Sequence, residues 1–123
     1  MSYEESLTKI SLIADGDQSG NQYKFLKGDT TGVALQDGAG LACIGVLQNK
    51  PTDAQVAEVG VMGVTKVAAG AAVARWANVQ SDATGRAIAA IAADFSQGIA
   101  LEAAAAAGDV IAVLLRPQAQ LNV

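Results

Sequence analysis

The chain has 123 residues, of which 51% are hydrophobic and about a fifth are alanine, with few aromatics, no histidine and a net charge of -4. That length gives one domain, and each core site filled by Ala instead of Leu gives up about 2 kcal/mol of transfer free energy, so a thin core completed by burial against a partner is expected. Scattered Lys and Arg exclude a basic nucleic-acid face, no apolar run reaches membrane-span length, and the missing histidine removes the Ser-His-Asp and Cys-His constellations and the commonest zinc ligand.

In chain order, Met1-Ser2-Tyr3-Glu4-Glu5 lacks the basic-then-apolar pattern of a secretory signal. Residues 1–19 read as a flexible N-terminal arm, in which Tyr3, Leu7, Ile10 and Leu12 stand among polar neighbours without a later counterpart. Such a terminus frays alone, or orders on a target, placing Tyr3 and Leu7 in grooves. Asp15-Gly16-Asp17 has too few oxygens for a calcium loop and reads as a solvated turn.

From residue 20 onward, short Val/Ile segments between Gly and Asp punctuation predict strands. They are Tyr23–Leu26, Gly32–Leu35, Cys43–Leu47, Gln55–Val59, Gly63–Val67, Arg86–Ala89, Gly98–Leu101 and Val110–Leu115. Ala103–Ala107 is too short for a stable isolated helix and reads as a connector. The expected core includes Cys43, Ile44, Val46, Val59, Val110 and Val113. A single cysteine excludes an intrachain disulfide, and Cys43, with no cation beside it, reads as an unreactive small hydrophobe.

The pattern repeats. Asp29-Thr30-Thr31-Gly32 recurs as Asp82-Ala83-Thr84-Gly85, an offset of 82 minus 29, or 53, which also relates Tyr23 to Trp76, Leu35 to Ile88 and Gly45-Val46 to Gly98-Ile99. One added residue brings Val56 and Val59 onto Val110 and Val113. The expected architecture is all-β: a small barrel or sandwich of two related units, residues 20–67 and 73–115, within a domain spanning 20–117, followed by a tail at 118–123.

Catalytic chemistry is hard to place on this pattern. Two halves with one Asp-Thr-Gly turn each suggest the duplicated aspartic proteases, but both turns carry an extra residue, and a hydrogen-bonded hairpin turn accounts for them. No glycine cluster completes a dinucleotide or phosphate-loop motif, and Lys66 lacks the flanks of a lipoyl or biotin attachment site. No enzyme activity, cofactor or metal is therefore expected. Arg75-Trp76 is either an interface anchor or, through the Tyr23 match, the core aromatic of the second unit.

Ile44-Gly45-Val46-Leu47-Gln48-Asn49-Lys50-Pro51, Val59 to Val67, Asp82 to Ala87 and Gly98 to Leu115 resemble a family of small tailed-bacteriophage proteins described as head decoration or capsid cement proteins. The likeness runs over about residues 20 to 117. It implies a β-rich fold on the outer face of an icosahedral head, the major capsid protein as partner, self-association as a trimer or a dimer, synthesis in the host cytoplasm, and no catalytic residues. The expected capsid contacts are Tyr3, Leu7, Ile10, Leu12, Arg75 and Trp76. A receptor- or glycan-binding module on a virion, and a small enzyme, are the alternatives.

Overall fold

Gly, Asp and Asn cut the chain into extended pieces too short to fold alone, so each is stable only as part of a shared sheet. The computed structural model describes residues 6–121, and these contain nine strands and no helix. The strands are β1 (Leu7–Ile13), β2 (Phe25–Gly28), β3 (Val33–Leu35), β4 (Gly45–Leu47), β5 (Val56–Ala68), β6 (Asn78–Ser81), β7 (Ala87–Ala89), β8 (Phe95–Ala100) and β9 (Val110–Leu121). They form one sheet in the order β3-β2-β4-β5-β9-β8-β6-β7, with β1 beside β5, curled into an antiparallel half-barrel.

Two predicted strands, Gln55–Val59 and Gly63–Val67, are one long strand, because β5 bends at a bulge opposite Thr8 and Lys9 instead of ending. Two strands were not predicted. β6 is Asn-Val-Gln-Ser, with too little apolar pattern to read alone. β1 corrects the expected flexible arm: residues 7–13 are a strand running antiparallel to β5, from Leu7 opposite Gly63 to Ile13 opposite Val56. The backbone of residues 118–121, expected as a tail, continues β9 and pairs with β8 at Gln120 and Leu121.

The pairing occurs twice. β2 pairs with β3 and β4, and β4 with β5; likewise β6 pairs with β7 and β8, and β8 with β9. The arm also has a counterpart, in the second half of β5. Ile13 lies opposite Val56 as Ala68 lies opposite Val110. Ala14 N–H donates to the Gln55 carbonyl (2.9 Å) as Ala69 N–H donates to that of Asp109 (2.7 Å). β5 thus closes the first unit with its first half and opens the second with its last half. Tyr23 and Trp76 even share a left-handed backbone, at φ 65° and 73°, a conformation that costs a residue with a Cβ about 1–2 kcal/mol.

The Asp turns match with a one-residue difference. Asp29 Oδ1 accepts from Thr31 N–H (3.1 Å) and Gly32 N–H (2.9 Å), whereas Asp82 Oδ1 accepts from Thr84 N–H (2.8 Å) and Arg86 N–H (2.9 Å). Gly32 therefore corresponds to Arg86, and Gly85 is an inserted residue. The insertion also moves the partner of Leu35 from Ile88 to Ala89, since Leu35 pairs with Leu26 as Ala89 pairs with Val79.

The core follows the same correspondence. Ala14, Leu26, Val33, Leu47, Ala57 and Val59 form one buried cluster, and the positions equivalent to them lie together in a larger one. Val46, Val59 and Val113 are buried as expected. Ile44 and Val110 are not, at 44% and 52% exposed. The side chain of Ile44 stands against Gly28 at the mouth of a cleft, and Cys43 is only partly buried.

Candidate docking surface

The first unit is seated on the second. Its anchor is Phe25, fully buried in the core cluster that contains Val79, Ile111 and Val113. Phe25 N–H donates to the Gly85 carbonyl (2.7 Å), so the inserted residue of the second turn is what meets the first unit. Gly85 has φ 75° and no room for a Cβ beside Leu35, two separate reasons for glycine there. Around this anchor, Ala68 N–H donates to the Tyr23 carbonyl (2.9 Å), Gly40 N–H donates to the Ser81 carbonyl (2.9 Å), and Gln48 Nε2 donates to Thr65 Oγ1 (2.7 Å). Gln97 Nε2 donates to the Leu41 carbonyl (3.3 Å), while its Oε1 accepts from Cys43 N–H (3.4 Å). Burial in this seam pushes the Cys43 thiol up to about 11, so a reactive thiolate is disfavoured.

On the first unit the corresponding ground is open. A cleft of about 380 Å³ is lined by Leu12, Ile13, Gly28, Gly32, Val33 and Ile44. Ile10, which faces the core side beside Val59, is 42% exposed, while its counterpart Thr65 is only 5% exposed. At the far end of the second unit, Trp76 and Ile91 are 63% and 60% exposed. The Arg75 guanidinium lies 4.6 Å from the Trp76 ring centroid, and Arg75 Nε donates to the Leu101 carbonyl (3.0 Å). Trp76 is thus not a core aromatic, while Tyr23, its counterpart, is half-buried with the Lys66 ammonium 5.9 Å from its ring.

The predicted contact residues therefore fall into two groups. Leu7, Ile10 and Leu12 lie on β1, fixed to β5, and Leu12 packs partly against the first core cluster. Arg75 and Trp76 lie in the loop before β6. Tyr3 is outside the described residues. Sequence reasoning missed Ile13, Ile44 and Ile91, although one signal was available: the apolar Ile44 corresponds to the polar Gln97, a mismatch that marks one copy of the position as a seam.

The chemistry of acids is local. Asp29 is held below the usual carboxylate range, first by its hydrogen bond with Asp15 and then by its turn amides, while the same contact raises Asp15. Asp29 and Asp82 each serve their own turn and do not form a shared-proton pair. Among the described residues, no group of three His, Cys, Asp or Glu side chains is arranged to hold a metal ion.

The sequence model of a family described as phage cement protein matches residues 18–115. No curated protein matches the chain. In fold, the chain is similar to the N base of head fiber gp8.5 in bacteriophage phi29, with a TM-score of 0.70 over 94% of this chain and 98% of that one, at 15% sequence identity. A likeness at that identity is one of fold alone.

Proposed function

This chain belongs to the phage cement protein family, and we propose that it binds the major capsid protein on the outer surface of the head, across joints between capsid subunits. It is a capsid cement or decoration protein, a component of the virion head. The family match over residues 18–115 carries that reading. Cementing needs no bond-making: a protein that binds only the assembled shell stabilises it by mass action, in proportion to the logarithm of its concentration over Kd.

The capsid contact is made by the outer end of β1, where Leu7 lies over Gly60, together with the segment before it that carries Tyr3. β1 pairs with β5 on one side only among the described residues, so its other edge is open to a capsid strand. The protein acts as an oligomer, a trimer first and a dimer second, made in the host cytoplasm. A glycan platform at Trp76 is the weaker reading, since the Arg75 guanidinium already lies against that ring.

The test uses heads that lack this protein. Adding it back should decorate them at defined joints, as seen by cryo-EM, and should raise their disruption temperature. Removing residues 2–5 should lower occupancy and leave the melting temperature of the free protein nearly unchanged. A longer cut through residue 9 would strip the ladder positions of Leu7, Thr8 and Lys9 and could not separate binding from folding. Heads that gain no density and no heat resistance from the full chain would refute the assignment.

A further inference from the structure

We propose that the open cleft on the first unit is a seat for the second unit of another copy, so that this chain associates head to tail by repeating between molecules the contact that joins its own halves. The proposal deepens the oligomer reading above and rests on it only for the context in which assembly matters.

Four positions carry the inference. Thr65, Ala68, Ser81 and Gln97 of the second unit are each hydrogen-bonded by a residue of the first: Gln48, Tyr23, Gly40, and the pair Leu41 and Cys43. Their structural counterparts on the first unit are Ile10, Ile13, Gly28 and Ile44. Ile13, Gly28 and Ile44 line the cleft, and Ile10 is the neighbouring core-side residue of β1. Among the described residues, the ground that the first unit covers on the second has no such cover on the first, where Ile13 and Ile44 are 48% and 44% exposed.

The complementary surface is present at the other end. Tyr23 corresponds to Trp76, and the seated loop Gly38-Ala39-Gly40 corresponds to Ile91-Ala92-Ala93. Gly40 and Ala93 share a left-handed backbone, at φ 75° and 73°. In this second copy Trp76 and Ile91 are exposed large apolar side chains standing where the first has Tyr23 and Gly38, while Asn78 stands where the first has its anchor Phe25. The seats differ as well: Ile10 and Ile44 replace Thr65 and Gln97, so the side-chain hydrogen bonds of the internal seam give way to apolar contact at those two positions. A phage capsid protein is the rival occupant, but the internal seam already demonstrates how this ground is covered by this fold. An interface between two unlike surfaces either closes into a ring or grows into a filament; a ring that closes after three copies is the trimer of the reading above.

Sedimentation velocity over a concentration series tests this on the full chain. The wild type should form assemblies larger than a dimer. Ile44→Asp, in the cleft, and Trp76→Asp, on the opposite surface, should each be monomeric with an unchanged β-sheet circular dichroism spectrum. Mixed in equal amounts, they should form a 1:1 dimer that grows no further, because one intact cleft and one intact inserting surface remain. If either variant misfolds, Ile13→Asp and Ile91→Asp replace the pair. A wild type that stays monomeric at every concentration, a variant that assembles like the wild type, or a mixture that remains monomeric overturns the proposal. Monomers that still decorate heads would sink this inference and leave the cement assignment standing; assembly in solution with bare heads would do the reverse.

Discussion

The two core clusters fill equivalent slots with different volumes. Leu26 and Leu47 of the first unit face smaller counterparts in the second, Val79 and Ala100, while Ala57 faces the larger Ile111. The second core gains two further side chains from outside itself, because Phe25 and Val46 of the first unit are buried in it. One unit is thus packed by its own residues, and the other is completed by its neighbour. An alanine-rich sequence can fold this way because each unit need not supply a full core. What the second unit lends to the seam, the first unit leaves open at its cleft.

The asymmetry is most directly broken at Phe25. Phe25→Ala should cost about 3–5 kcal/mol in chemical denaturation and should lower the whole transition. Asn78→Ala, at the exposed counterpart, should cost clearly less than Phe25→Ala. If Phe25→Ala instead unfolds only part of the signal, the units are independent. Next in size, Leu47→Ala should cost about 2–5 kcal/mol, although the second unit tolerates alanine at the same slot, Ala100, where Ile111 supplies the compensating volume.

A smaller effect sharpens the backbone comparison. Ala54 and Gly108 occupy corresponding left-handed positions, with φ of 64° and 94°. Ala54→Gly should therefore raise stability and Gly108→Ala lower it, each by about 1 kcal/mol; equal signs would contradict the correspondence. The seam can also be read through Cys43, whose thiol is raised from 9.0 to about 11. At neutral pH it should react with a thiol reagent about 100-fold more slowly than an open cysteine, and Gln97→Ala should speed that reaction by loosening the loop it holds. The smallest expected effect is acid sensitivity. Lys27 lowers Asp37 below its ordinary 3.8 through a 2.9 Å ion pair, so its contribution is present above that value and is lost as the pH falls through the lowered one. The pair is exposed, so Lys27→Gln should flatten the acid side of the stability curve only slightly.

Most strands were legible because Val and Ile alternate between Gly and Asp breaks, and the repeat was legible because its turn acids and aromatics stand at fixed spacing. β6 was not, since Asn78 and Gln80 lend it no apolar period, although the repeat makes it the counterpart of β2. β1 was hidden because its counterpart, the predicted strand Gly63–Val67, was placed in the first unit, so no segment before residue 20 was matched to it.

The candidate surface was legible in part. Composition alone implied an unfinished core and a partner; Ile10 and Leu12 could be named from their polar neighbours, and Trp76 from its pairing with Arg75. Residue order alone determined an all-β chain of two related units, because local backbone preference and turn chemistry are properties of short stretches. Only the tertiary structure decided which copy of each position is covered. Ile44, just before β4, and Gln97, in β8, stand at equivalent places in the repeat, yet one is exposed and the other buried, since burial depends on what the rest of the chain brings alongside. The first unit brings its loop to Gln97, and no described residue brings one to Ile44.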